Sequence, residues 1–238
     1  MIAAQTAFET RMLLRNGEQL LLTVIIPSLL LILFSSVDII ETGADEAVDF
    51  LAPGVLALAV MSTAFTGQAI ATGFERRYGV LKRLGATPLP RWALMTAKTL
   101  SVLVTEVLQV LLLTLIALGL GWSPHGNPAA VALLLVLGTA AFSGLGLLMA
   151  GTLKAEATLA AANLVFLLLL VGGGVIVPLE KFPSGVRSAL ELLPISALSD
   201  GLRAVLQHGQ GMPWGDLGIL AAWAVLGLGA ATRFFRWE

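Results

Sequence analysis

The sequence predicts an all-α polytopic membrane protein, and three observations carry that prediction. The 238-residue chain is 57% hydrophobic and only 12% charged, about half the charge of an ordinary soluble domain. Its apolar residues fall into six runs, each close to the roughly 20 residues a helix needs to cross a bilayer. Its lysines and arginines crowd into alternate connections between those runs. The net charge of −1 provides no basic field for nucleic acid. With no cysteine in the chain, disulfides, thiolate catalysis and cysteine metal sites are excluded.

Met1–Asn16 is expected to form an amphipathic helix in the plane of the membrane interface. Phe8 and Met12 stand at i, i+4, with Arg11 and Arg15 on another face. An irregular leader is the alternative. A signal peptide is not expected, because Glu9, Arg11 and Arg15 precede the first apolar run and no small-residue cleavage pattern follows it. Spans are expected at about Leu20–Val37, Leu51–Gly73, Ala93–Leu120, Ala129–Leu153, Leu159–Val177 and Trp214–Arg233. Pro27 falls inside the first, where neighbouring helices can satisfy the freed carbonyl. Gly172, Gly173 and Gly174 weaken the helix near the end of the fifth.

Residues 178–211 are too polar to cross. Pro178, Pro183 and Pro194 divide them, leaving amphipathic pieces at about Ser184–Leu193 and Ser196–Gln207. In the second piece Leu198, Leu202 and Val205/Leu206 share one face, and Asp200, Arg203 and Gln207 another. These pieces are expected at the interface or partly re-entering the bundle, an ordinary long loop being the alternative. No soluble domain and no internal repeat is evident, which argues against a carrier built from two inverted halves.

Charge sets the expected orientation. With the N-terminus cytoplasmic, the inside segments hold eleven of the 14 lysines and arginines, and the outside holds Lys181, Arg187 and Arg203. The first outer loop, Asp38–Asp49, has five acids and no base. Six spans return the C-terminus to the cytoplasm.

The chain has no G-x-x-x-x-G-K-[ST], H-E-x-x-H or G-x-S-x-G, so the usual signatures of nucleotide binding, metalloproteolysis and serine hydrolysis are missing. No catalytic or metal site is expected. His125 and His208 fall in outer loops and read as exposed. Glu106 is the carboxylate deep inside a span, and an intramembrane ionisable residue is a functional candidate. It either serves a cavity or helix contact used in transport, or is a neutral acid bonding one helix to another. Gln109 lies three residues on. Gln68 and Asn163 read as interhelical hydrogen-bonding groups. Ser62, Thr66, Gly138, Gly144 and Gly146 suit close helix packing.

Residues 74–92, FERRYGVLKRLGATPLPRW, interrupt the apolar pattern between spans two and three. On a helical wheel Phe74, Tyr78, Leu81 and Leu84 form an apolar stripe, with Glu75, Arg76, Lys82 and Arg83 opposite. Gly85 suits a helix C-terminus, and Pro88 and Pro90 stop its continuation. A short amphipathic helix on the cytoplasmic surface is therefore expected over Phe74–Gly85. The preference for positive charge on the inside accounts for the sign of this loop, but does not require the stripe or the proline stop.

The pattern E-x-R-x-G-x-x-x-x-L-x-x-x-P, formed by Glu75, Arg77, Gly79, Leu84 and Pro88, resembles a motif after span two in the ABC-2 type permeases. These are the membrane subunits of type-2 ATP-binding-cassette exporters. The N-terminal helix is similar to that family's interfacial elbow, LAPGV at Leu51–Val55 resembles its Pro-Gly entry to span two, and the run with Pro178, Pro183, Pro194 and Arg203 resembles its segment between spans five and six. Arg77 stands where the family has a second Glu, and Val80 where it has Thr.

The resemblance implies a cytoplasmic ATP-binding subunit in two copies, a second permease chain (the same or homologous), and the membrane lipid as surroundings. ATP and Mg would be bound by the partner, and no cofactor by this chain. It implies a coupling contact at residues 74–90, carried by Glu75, Arg76, Arg77, Tyr78, Gly79, Leu81, Lys82, Arg83, Leu84 and Pro88. The apolar spans suit a hydrophobic or amphipathic cargo such as a drug-like molecule or a lipid. The competing functions are an ATP-independent carrier with Glu106 as proton relay, and a membrane assembly factor that transports nothing.

Overall fold

The computed structural model describes residues 2–15, 17–36, 47–86, 90–175, 179 and 182–236, with the side chains of 18–23 and 36 left out. The described residues form helices and no strand: α1 Ile2–Arg15, α2 Gly17–Ser36, α3 Ala47–Val60, α4 Gln68–Arg77, α5 Val80–Gly85, α6 Arg91–Gly119, α7 Pro128–Thr152, α8 Ala155–Gly172, α9 Ser184–Leu190, α10 Pro194–Leu206 and α11 Trp214–Phe234. A π-helical stretch, Met61–Gly67, joins α3 to α4, so Ala47–Arg77 is one helical rod of 31 residues. Among the described residues five helices are long and apolar enough to cross a membrane: this rod, α6, α7, α8 and α11. The helix α2 contains a shorter apolar stretch, Val24–Ser35, with Pro27 inside it.

The rod is the axis of the bundle. Its most apolar window is 89% buried, against 22–50% in the other four helices. From Val48 to Val60 every residue but the half-buried Asp49 is buried, enclosed by α2, α6, α7 and α10. The surrounding helices turn large apolar side chains outward, including Leu111 and Leu115 on α6, Leu167 and Leu168 on α8, and Val225 and Leu226 on α11. Such a surface is costly in water and suited to lipid.

Local chemistry sets the helix ends. Asn127 caps α7 by accepting a hydrogen bond from Ala129 N at 2.9 Å, with Pro128 at the first helical position. The fifth span stops at Gly172, short of the expected Val177, at the first residue of the triple glycine. Helices α7 and α11 approach closely where Gly144 faces Gly227, which is how small residues let membrane helices pack.

Most buried apolar residues join one large core around the rod. A second, smaller cluster lies at the end of the bundle that carries the basic loop. It consists of Leu81, Ala93, Leu94, Met95, Leu147, Ala231 and Phe235, and so joins α5, α6, α7, α11 and the residue just past it. At the opposite end α10 covers the bundle, its Leu198, Leu202 and Val205 fully buried. His125 and His208 are exposed.

Candidate functional site

The basic loop is two helical pieces rather than the continuous helix expected over Phe74–Gly85. The rod ends at Arg77, and Gly79 takes φ +72° before α5 begins. That left-handed backbone favours glycine because a Cβ would crowd the following carbonyl. The break divides the expected stripe. Tyr78 is 68% exposed and Leu81 is completely buried. Leu84 is half-buried beside Leu81 against the small cluster. Lys82 and Arg83 are exposed on α5. Pro88 lies outside the described residues.

The end of the rod is tied to its neighbours. The Arg76 guanidinium donates to the Leu153 carbonyl just beyond α7, and Arg77 pairs with Glu156 in the first turn of α8. The Arg77 pair is solvent-exposed and adds little stability. The Arg76 bond satisfies a carbonyl at a helix terminus that would otherwise go unmet.

Glu75 turns inward. Its carboxylate meets Lys98 Nζ at 2.7 Å, and the same ammonium meets Glu9 of α1 at 3.0 Å. Lys98 and Glu9 are 4% and 8% exposed in their side chains. Gln5 donates to the other Glu9 oxygen at 2.8 Å. One lysine therefore joins the N-terminal helix, the end of the rod and α6. The wheel reading of α1 missed this, because it weighed Phe8 and Met12, which are exposed. Lys98 lies within α6, and the rule that singled out Glu106 applies equally to it.

Beside the trio is a cavity of about 20 Å³ lined by Gln68, Thr72, Thr63 and Ser101 among others, enough for about one water. Gln68 is 5% exposed, and neither atom of its amide has a hydrogen-bond partner among the described residues. Further along α6, Gln109 Oε1 accepts from Thr63 at 3.0 Å. Glu106 is bonded to Thr139 of α7, whose hydroxyl also reaches the Leu135 carbonyl at 2.7 Å. The Thr139 hydroxyl thus lies within reach of both the Glu106 carboxyl and the Leu135 carbonyl, and ties α6 to α7. Asn163 departs from expectation. It is exposed on α8, because the buried face of that helix is Ala155, Thr158, Ala162 and Leu169.

Arg203 was expected on the polar face of α10 and is instead buried, at 7% exposure. Its guanidinium lies 3.8 Å from the Phe50 ring centroid and donates to the Phe50 and Val175 carbonyls at 3.3 and 2.9 Å. Asp200 accepts from it at 3.2 Å. Gly54 makes the room, since a Cβ there would sit 2.8 Å from Arg203 Nη2. The arginine joins α3, the exit of α8 and α10 at the end opposite the basic loop.

A family profile described as "ABC-2 family transporter protein" matches residues 35–233. Two proteins of Bacillus subtilis (strain 168) are similar to the chain. The linearmycin resistance permease protein LnrN is 30% identical over 167 residues, covering 68% of this chain and 43% of LnrN. The chain thus corresponds to less than half of that relative's length. The putative transport permease YvfS is 26% identical over 235 residues, covering 93% of this chain and 91% of YvfS.

Two substitutions test these contacts. Lys98→Met leaves the buried Glu9 and the partly buried Glu75 without their counter-ion and is expected to cost about 3–5 kcal/mol. Adding Glu9→Gln and Glu75→Gln should recover most of the loss in a thermal melt of the purified protein. Recovery of nothing would show that Lys98 acts through packing alone. Arg203→Lys keeps the charge but loses the planar fork, and should lower stability by about 1–3 kcal/mol in the same assay.

Proposed function

The chain belongs to the ABC-2 transporter family, as a multi-pass permease of the cell membrane, and from that premise we propose that it is the transport subunit of an ATP-driven exporter. The observation that carries the proposal is the construction of α5. Outside, this short helix and its hinge present Tyr78 and Arg83 to solvent. Inside, Leu81 is plugged into the cluster formed by residues of α6, α7 and α11. A contact made on the exposed side is therefore delivered to several spans at once.

In this reading α2 is the sixth span. Its 20 residues measure about 30 Å as a helix, the thickness of the hydrocarbon core. The basic end faces the cytoplasm, as lysine and arginine placement favours. A separate subunit binds and hydrolyses ATP there, in two copies, and seats α5 in a groove. Arg83 and Lys82 set the register, and the buried Leu81 transmits the load. The ATPase can shift the permease between inward- and outward-facing states only by contacting the two states differently. Two permease chains complete the transporter. The exposed amide of Asn163, on a face with Leu164, Leu167 and Leu168, supports α8 as a contact with the second chain, since an amide in lipid gains from a partner.

The spans suit a hydrophobic or amphipathic cargo. The similarity to a permease named for resistance supports export over uptake. Glu106, bonded to Thr139, reads here as a helix-to-helix contact.

Co-purification with an ATPase is the first expected result. Arg83→Glu should then lower cargo-stimulated ATP hydrolysis at least tenfold in vesicles, with the melting temperature unchanged because Arg83 is exposed. Transport at the wild-type rate in that variant would remove α5 from the coupling path. Cargo flux driven by a proton gradient without any ATPase would replace the ATP-driven reading altogether.

A further inference from the structure

The cytoplasmic end of the bundle holds an imbalance of charge. Glu9 and Glu75 share Lys98, the only cation paired with either among the described residues. With both carboxylates ionised the trio carries one surplus negative charge, in a place where the lysine side chain is 4% exposed. A buried charge is stable only when paired.

The cavity beside the trio has the shape and chemistry to supply the missing charge. It holds one water-sized group. Glu9, Glu75 and the Lys98 they share line it together with Gln68 and Thr72, and Leu13 and Val102 are also on its wall. The Gln68 amide and the Thr72 hydroxyl are buried without partners among the described residues. An ammonium group has three protons to donate. The Glu75 carboxylate, Gln68 Oε1 and Thr72 Oγ1 are three acceptors on the cavity wall. An anion there would deepen the surplus. A neutral amide or a water would leave it as it is.

We infer that this cavity binds the protonated amine of an amphipathic cargo, with its apolar part running along Leu13 of α1 and Val102 of α6. The inference rests on the exporter reading above and narrows it, from amphipathic molecules in general to amine-bearing ones. Leu13 of α1 and Val102 of α6 are on its wall, so the cargo would enter between those helices, from the inner leaflet.

The test uses the protein purified in lipid nanodiscs with whatever ATPase accompanies it, without nucleotide. Equilibrium binding of radiolabelled dodecylamine is compared with that of N-dodecylacetamide, which has the same chain and no charge. The amine is expected to bind at least tenfold more tightly and to be displaced by methylammonium. Glu9→Gln removes the surplus charge. Gln68→Leu fills the cavity with an apolar side chain and should not lower the melting temperature, because it removes unmet polar atoms. Each is expected to weaken amine binding at least tenfold. Equal affinity for the two ligands, failure of methylammonium to compete, or wild-type binding in either folded variant would overturn the site. Tight amine binding with no ATPase in the preparation would leave the site standing and remove the ATP-driven reading. An ATPase with indifferent binding would do the reverse.

Discussion

The rod Ala47–Arg77 has almost no face left for lipid, and the rest of the bundle is arranged by that constraint. A helix enclosed on all sides must place every polar side chain against a neighbour. Thr63 does so with Gln109, and Glu75 with Lys98. Gln68 and Thr72 have no such partner among the described residues, and the cavity lies at those residues. Their position, next to a surplus carboxylate, separates an incomplete site from a packing fault.

The two ends of the rod are fastened by different chemistry. At the basic end, one ammonium joins three helices and a guanidinium reaches a neighbouring carbonyl. At the other end, Arg203 stacks on Phe50 and bonds two backbone carbonyls. Both devices put a cation among acceptors that belong to different segments. Neither could be replaced by apolar packing without losing its directionality. A guanidinium suits carbonyls at fixed angles, and an ammonium suits carboxylates arriving from any side.

Composition and periodicity made the architecture legible. The apolar runs anticipate α6, α7 and α11 to within two or three residues, because a bilayer demands length and apolarity whatever the neighbours are. What stayed hidden is tertiary. Arg203 looks like part of a solvated face because its partners, Phe50 and Val175, are 153 and 28 residues away. Glu9 and Glu75 acquire meaning only once α1 folds against α6. Asn163 misled for the opposite reason. An amide within an apolar run invites an interhelical bond, but its helix turns Ala162 inward and leaves Asn163 outside. The break at Gly79 was marked by its glycine, yet a helical wheel assumes continuity and drew one stripe across it.

That break bears directly on how a push at α5 would travel. Had the helix run unbroken from Phe74 to Gly85, α5 would be a stiff extension of the rod, and a load on it would act on the rod alone. With the break at Gly79, α5 is no longer a straight continuation of the rod, and its buried attachment is Leu81 in the small cluster. A load there falls on the starts and ends of α6, α7 and α11. The rod itself is held back by Arg76 at the α7 exit and by Lys98 to α6 and α1. Close-packed interfaces of this kind move between discrete packings rather than deform smoothly. In the exporter reading proposed above, a displacement at α5 would reach α6, α7 and α11 through Leu81 and so bias which packing those spans adopt.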